Sequence, residues 1–532
     1  MTVQPLSNRI ANEDLIARLE ETLGERAVLT DQAACTLYAQ DVYTKAEPAL
    51  AVIQPSNTDV LAKAVGLTTS AGFAIVPRGG GMSYTSGYVP AEGSSVMVDM
   101  TAMDAILEIN EEDMYVRVEA GCTWKKLHEA LAPNGLRSPF WGTLSGSTAT
   151  IGGGMSQNGA FWGCGTAGSA VESVLSLKVV LADGSVIETG SAAHANAAPF
   201  MRNYGPDLTG IFTSDAGALG FKAEITLRLQ TAAKHKGYCS FNTDDGDVVA
   251  QVLAEVSRQG LATEVFAFNP FLQTQQMKRS GLLQDTKYLK GVVTGQDSLM
   301  KGIKEGAKMA LAGKSDLNKP MWTIHTISEG RSEAAVDADV AAIRDIAKEA
   351  GANEIANTVP KATAGIPFGP VNSMIGPDGE RWVPIHALVP HSKGAALLKE
   401  LDALTERFKP QMDALKIDTG YLLLTMSTTI FLIEPVFYWQ DEIKEIHDTY
   451  VEDAILKKIT RFPENLEARA VVEEMRQAML DLFEGYGAGH FQIGKTYRYG
   501  KTLMPGTKAL LKAIKAEVDP DNRINPGSLG IS

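Results

Sequence analysis

A histidine, a lysine, two tyrosines and an arginine fall within the eleven residues Gly489 to Tyr499, GHFQIGKTYRY, as His490, Lys495, Tyr497, Arg498 and Tyr499. An imidazole or phenol can accept a proton, and a guanidinium can pair a carboxylate through two parallel hydrogen bonds. The set therefore holds residue types able to take up a proton and to pair an anion, with His490 and Arg498 as first candidates and Tyr497 beside them. The plainer reading of Tyr497 and Arg498 is a solvated strand edge. His386 in WVPIHALV and His325 in WTIHTIS lie in strand-like runs, where alternation aims a residue into a pocket or into a satisfied core. His386 completes the catalytic candidates.

A second chemistry is written in Pro77 to Pro90, PRGGGMSYTSGYVP. Three successive glycines after an apolar strand let several backbone N–H groups converge without side chains between them, a concavity that suits a pyrophosphate. The plainer reading is a tight loop with no ligand. Two other glycine patterns fail on context. GHFQIGKT, Gly489 to Thr496, satisfies the P-loop pattern, but a helical run precedes it and a glycine- and proline-containing run follows. GCGTAG, Gly163 to Gly168, satisfies GxGxxG without a strand before it.

The elements that must position these groups belong to more than one domain, since 532 residues exceed what one core usually organises. The chain carries 63 acidic and 49 basic residues and no block of Lys and Arg, which argues against nucleic acid as a partner. Cys35, Cys122, Cys164 and Cys239 form no CxxC pair, so neither a zinc knuckle nor a disulfide framework is signalled, and a reducing cytoplasm fits. Acidic residues enter MTVQPLSNRIANEDLIARLEE before any apolar run, which argues against a cleaved leader. The most apolar stretch, Tyr421 to Trp439, is broken by Thr, Ser, Glu434 and Pro435 and reads as buried strand, not as a membrane span.

A helix over 13–23 precedes β-rich runs at 51–55, 73–81, 95–100 and 115–121, with a helix over 57–72 between the first two. A glycine-dense zone over 142–168 leads into SVLSLKVVLADGSVIETG, where Asp183 and Gly184 mark a hairpin. A strand over 219–230 closes this region. Beyond 231, helices alternate with single strands in the manner of a separate α+β domain. Strand-then-helix units starting at Met321 and Arg381 hint at a duplication. The tail, KALLKAIKAEV then DPDNRINPG, stops a helix and pins the chain end.

PRGGGMSYTSGYVP resembles the pyrophosphate loop of the FAD-binding domain shared by D-lactate dehydrogenases, glycolate oxidases and alkyl-dihydroxyacetone-phosphate synthases. The resemblance continues in order through ATIGGGMSQNGAFWGCG, SVLSLKVVLADGSVIETG, YGPDLTGIFTSDAGALGFKAEITLRL and, near the end, KAIKAEVDPDNRINPG. It covers about residues 45–230 and 485–530. It implies the α+β fold of the vanillyl-alcohol oxidase and p-cresol methylhydroxylase superfamily, closest to its lactate and glycolate branch. An FAD-binding domain over 1–230, completed by 490–532, would carry a ferredoxin-like α+β cap over 231–489.

By that resemblance Arg78, Gly79, Gly80, Gly81, Met82 and Ser83 hold the FAD phosphates, Thr150, Ile151, Gly152 and Gly153 line the other side, and Pro77, Gly87, Asn158 and Gly163 complete the cofactor-binding set. Phe221 touches the flavin ring or the adenine through backbone atoms, Gly217 joins the cofactor-binding set, and Asn525 approaches the flavin ring from the tail. Some relatives attach the flavin through a His of this loop. Met82 stands at the aligned position and its thioether cannot make that link, so non-covalent FAD is expected, although Cys164 is a conceivable thioether donor. His490 aligns with the His of a GEHGIG-like segment whose Glu is replaced by Gly489. The companion HxGDGNxH is absent, with His386 and His391 the nearest substitutes, so no metal is assigned.

The implied activity is oxidation of a small 2-hydroxy acid or related alcohol by hydride transfer to the flavin. The alternative is a para-substituted phenol or benzylic alcohol, with Tyr84, Tyr438, Tyr497 and Arg498 rebuilding a phenolate pocket. Oxygen, a quinone or a cytochrome would reoxidise the flavin. A homodimer stays open.

Overall fold

The computed structural model describes residues 9–282 and 321–531, so the first eight residues of the stretch weighed as a leader lie outside the described residues. The chain divides into two compact units. One comprises Met1–Gly159, Ser169–Thr231 and Phe491–Ser532, and the other Ala160–Gly168 and Ala232–His490.

In the first unit, β1 (Val28–Leu29), β2 (Ala51–Ile53), β3 (Ile75–Arg78) and β4 (Val96–Asp99) form a sheet in the order β1-β2-β4-β3, with β2, β4 and β3 parallel. The runs AVI, IV and VMV are buried, as parallel strands covered on both faces must be. Helix α1 (Thr58–Ser70) joins β2 to β3 and is capped by the Asn57 side chain, which accepts from Val60 N at 3.0 Å. The glycines after β3 belong to the following loop, not to the strand.

Next come β5 (Ile106–Asn110), β6 (Tyr115–Glu119), β7 (Leu136–Arg137), helix α2 (Ile151–Gln157), β8 (Val174–Val180), β9 (Val186–Glu188), β10 (Phe221–Arg228) and β11 (Gln230–Thr231). Five of these strands form an antiparallel sheet, β5-β6-β10-β8-β9, and β7 pairs with β11. The β8–β9 hairpin turns at Asp183-Gly184, where Gly184 has φ +82° and a Cβ would stand 2.7 Å from Ala62 O on α1. The C-terminal helix Pro505–Val518 leads to Ile524, which bridges Ile75 in parallel, with Ile75 N donating to Arg523 O and Asn525 N to Ile75 O, both at 2.9 Å.

The second unit is built on one antiparallel sheet. Its strands are β12 (His235–Thr243), β13 (Glu264–Phe268), β14 (Trp322–Gly330), β15 (Asn353–Glu354), β16 (Arg381–Pro384), β17 (Ala387–Pro390), β18 (Ile417–Met426) and β19 (Ile430–Trp439). The order is β15-β12-β14-β13-β18-β19-β16, with β17 also on β19. Helix α3 (Gly246–Arg258) follows β12 and α4 (Glu333–Ala350) follows β14, giving the βαββαβ order of a ferredoxin-like fold with the last strand beside the first.

The same plan recurs as β17, α5 (His391–Arg407), β18, β19 and α6 (Leu466–Tyr486). Gly489 then takes the place of a fourth strand, exchanging two 2.9 Å backbone hydrogen bonds with Leu388 of β17. The duplication is therefore framed from β12 and β17. Met321 precedes the third strand of its half and Arg381 opens a strand just ahead of the second half, so the expected frame was displaced. Tyr421 to Trp439 is the buried β18–β19 hairpin, and among the described residues no helix is long and apolar enough to cross a membrane.

Ala160–Gly168 clusters with the second unit rather than with the glycine zone beside it in sequence. Gly165 N donates to Thr263 O and Ser427 N to Cys164 O, each at 2.8 Å, which fixes this short stretch to the residue before β13 and the residue after β18.

Candidate functional site

The first unit holds a cleft walled largely by glycine-rich segments. On one side runs the loop from Gly79 to Ser83, at the C-terminal end of parallel strand β3, where open α/β sheets place ligands. The glycines are demanded by close approach: a Cβ on Gly79 would lie 2.3 Å from Thr150 Oγ1, and one on Gly80 would lie 2.0 Å from Thr148 O. The loop is thus pressed on the segment that forms the cleft's other side.

That segment enters α2. The Thr150 hydroxyl accepts from Gly153 N at 3.2 Å, and a Cβ on Gly152 or Gly154 would strike Ala120 or the Trp124 ring. The third side is the loop before β10. Asp215 accepts from Gly217 N (2.9 Å) and Leu219 N (3.1 Å), and its Oδ1 lies 2.5 Å from Lys222 Nζ in a pair shielded from water. Burial pushes Lys222 below the ordinary lysine range, and Asp215 opposes the shift. Ser86, Asn158, Ser214, Ala216 and Asn525 all have positive φ, a concentration of backbone strain around the cleft.

Of the residues singled out in the sequence, Pro77, Gly79, Gly80, Gly81, Met82, Ser83, Thr150, Gly152, Gly153, Asn158, Gly217 and Phe221 line this cleft. Arg78 does not. It is 1% exposed, with its guanidinium 4.4 Å over the Tyr38 ring and beneath Gly81. Ile151 turns into the core. Gly87 does not line the cleft either, and a Cβ there would stand 2.1 Å from Gln157 Nε2. Asn525 ties two loops together, donating from Nδ2 to Gly87 O and Ala216 O at 2.7 Å each. Gly163 belongs to the second unit, where its N–H donates to Glu264 Oε1 at 2.6 Å.

The GHFQIGKTYRY segment divides at the unit boundary, His490 falling in the second unit and Phe491 onward in the first. Tyr497 is buried and Arg498 half-buried at the start of the one-turn helix Tyr499–Thr502, and neither lines the cleft. Lys495 donates to Val89 O, and burial pulls it down to about 8. Gln492 does reach the cleft, as do Tyr88, Trp124, Gln157 and Lys222. None of these five was anticipated. Gln492 stood inside the quoted segment but was passed over for its charged neighbours.

In the second unit His490 Nδ1–H donates to His386 O at 2.8 Å, which leaves the basic lone pair on Nε2. Burial pulls His490 down to about 4, against that hydrogen bond, and His386 well below the ordinary range, so both are neutral at pH 7. His325 is held by Ser240 Oγ at 2.9 Å between Phe266 and Phe268, a core position. His391 opens α5, with its Nε2 3.1 Å from Thr428 O. Among the described residues no three His, Cys, Asp or Glu side chains gather as a metal site.

Whether the cleft fits a dinucleotide is tested by its own polar atoms. Trp124 Nε1, Gln157 Oε1 and Gln492 Oε1 are buried and have no partner among the described residues, and all three belong to residues of the cleft wall. A glycine-walled cleft with orphaned polar atoms at its sides fits a cofactor that carries both a pyrophosphate and hydrogen-bonding rings.

Residues 49–190 match the family model of an FAD binding domain. The chain carries an FAD-binding domain. It is 35% identical over 221 residues to the mitochondrial D-lactate dehydrogenase [cytochrome] of Arabidopsis thaliana, a match covering 40% of this chain and 37% of the relative. It is 31% identical over 206 residues to glycolate oxidase subunit GlcD of Bacillus subtilis, covering 39% and 42%. The chain thus spans about two fifths of the length of these curated relatives.

The solved structure of p-cresol methylhydroxylase with substrate bound matches with a TM-score of 0.73 and 17% identity over 98% of this chain and 97% of that one. The 4-ethylphenol oxidase of Gulosibacter chungangensis gives 0.69 and 17%, over 99% and 98%. These likenesses carry the fold: an FAD-binding domain of the p-cresol methylhydroxylase type with an α+β companion.

Proposed function

We propose that the protein is an FAD-dependent oxidoreductase that converts a small 2-hydroxy acid, or a related alcohol, to its oxo product. The observation that carries the reading is the glycine-walled cleft, in a domain whose sequence relatives bear the names D-lactate dehydrogenase and glycolate oxidase. In this reading the first unit is the FAD domain and the second is the substrate cap.

The backbone N–H groups of Gly79 to Ser83 hold the pyrophosphate, with Thr150, Gly152 and Gly153 opposite, while Arg78 supplies positive charge from behind the loop. Bound FAD would supply the hydride acceptor. His490 receives the hydroxyl proton at Nε2, and the His386 carbonyl fixes the tautomer that makes this possible. Arg498 pairs the substrate carboxylate and Tyr497 orients it.

The flavin is held without a covalent bond. Met82 stands in the cleft wall where an imidazole would be needed, and burial pushes the Cys164 thiol up to about 12, far from a reactive thiolate. The four cysteines are free and buried, in keeping with a reducing compartment such as the cytoplasm. A cytochrome, quinone or oxygen takes the electrons onward; the cytochrome is favoured by the name of the Arabidopsis relative.

Oxidation of a para-substituted phenol or benzylic alcohol ranks second. Tyr438, which that pocket would use, is buried beside Phe271 with its phenol pushed up to about 12, so it stays protonated. Product analysis with an artificial electron acceptor tests the choice: a 2-oxo acid supports the first reading, and an aromatic aldehyde or ketone supports the second.

A further inference from the structure

We propose that Gln157 and Gln492 are positioning residues for the flavin half of FAD, their carboxamides hydrogen-bonding the ring's pyrimidine edge and its adjoining chain. The inference rests on the FAD reading of the cleft. Both side chains line it, and in both the carboxamide oxygen is buried with no partner among the described residues. A buried acceptor left unmatched is costly, so two in one cleft wall call for a ligand that supplies donors.

The pyrophosphate cannot supply them, because its oxygens only accept. Its natural donors are the backbone N–H groups of the glycine loop. A flavin offers a ring N–H flanked by two carbonyls, together with the hydroxyls of its chain, and a carboxamide offers the complementary acceptor and donors.

The two glutamines also lie toward the same part of the first unit. The Gln157 Nε2 sits 2.1 Å from where a Cβ of Gly87 would be. Gly494 and Lys495, just after Gln492, are pressed on Thr85: Lys495 N donates to Thr85 O at 2.9 Å, and a Cβ on Gly494 would stand 2.2 Å from the same oxygen. One ligand group with a ring N–H and adjoining hydroxyls can serve both acceptors there.

Fragment binding isolates the claim from activity. ADP carries the adenine and pyrophosphate but no flavin. For the deflavinated full chain, dissociation constants for FAD and for ADP are measured by titration calorimetry in wild type, Gln157→Met and Gln492→Met, with Gln492→Asn as a milder second variant. Each Met variant should weaken FAD by about tenfold and leave ADP unchanged, with Gln492→Asn between, and unchanged ADP binding also certifies the fold. Equal weakening of FAD and ADP, or no weakening of either, overturns the proposal. Wild type that binds neither overturns instead the FAD reading on which it rests.

Discussion

A Cβ placed on Gly81, whose φ is +70°, would stand 2.3 Å from Arg78 Nη2. Gly81 is therefore glycine for two reasons, its left-handed backbone and the guanidinium beneath it. The Tyr88 hydroxyl donates to Gly81 O at 2.7 Å and fixes the same turn. A buried positive charge behind a loop of N–H groups raises its affinity for an anion without obstructing the opening, because shielding from water strengthens the field.

Gly80→Ala tests the loop geometry. The new methyl would meet the Thr148 carbonyl, backbone that cannot rotate aside. FAD affinity should fall at least about tenfold while far-UV circular dichroism is unchanged. Normal FAD content in the purified variant would show that the loop is not held by this contact.

His490→Ala should slow anaerobic single-turnover reduction by roughly 100-fold or more and leave FAD bound. In wild type the neutral imidazole is the active form. With His490 pulled down to about 4, the reduction rate should be level through neutral pH and fall as pH drops through about 4. An inflection near the ordinary value of 6.5 would contradict this environment for His490.

Arg498→Ala separates binding from chemistry. If the guanidinium pairs the substrate carboxylate, KM for a hydroxy acid rises by about tenfold or more, while KM for the matching neutral alcohol is little changed. Identical kinetics for both variants of substrate would remove Arg498 from that role.

Stability should fall between pH 6.5 and about 3. His325 and His447 are each pulled by burial from 6.5 to about 3, and His490 to about 4. In that window the unfolded chain binds protons at these positions that the folded chain refuses, so stability is fullest above 6.5 and is lost progressively below it. A denaturation midpoint that holds constant from pH 7 to 4.5 would contradict these burials.

The glycine loop was legible because close backbone approach excludes every other residue, and the Asp183-Gly184 hairpin because its turn chemistry is local. Arg78 was harder. Its position beside the glycines gave its neighbourhood, but only the packing of Tyr38 and Tyr88 decides that the side chain turns beneath the loop. Gln157 and Gln492 escaped notice because an uncharged amide gains a role only when burial strips it of water. Ala160–Gly168 is sequence-continuous with the cleft wall, and its transfer to the second unit depends on hydrogen bonds to Thr263 and Ser427, distant in sequence. The duplicated halves were misframed because Gly489 replaces a whole strand with one bridge, which leaves no periodicity to read.

Hydride transfer from a 2-hydroxy acid to bound flavin is tested by following the visible flavin absorbance of the purified protein, without oxygen, on addition of D-lactate, glycolate, 2-hydroxyglutarate, vanillyl alcohol or a 4-alkylphenol. Bleaching by at least one of the 2-hydroxy acids, and not by the phenols, is the predicted result. Bleaching by phenols or vanillyl alcohol alone would contradict the hydroxy-acid reading and transfer the chemistry to the phenol-oxidising alternative.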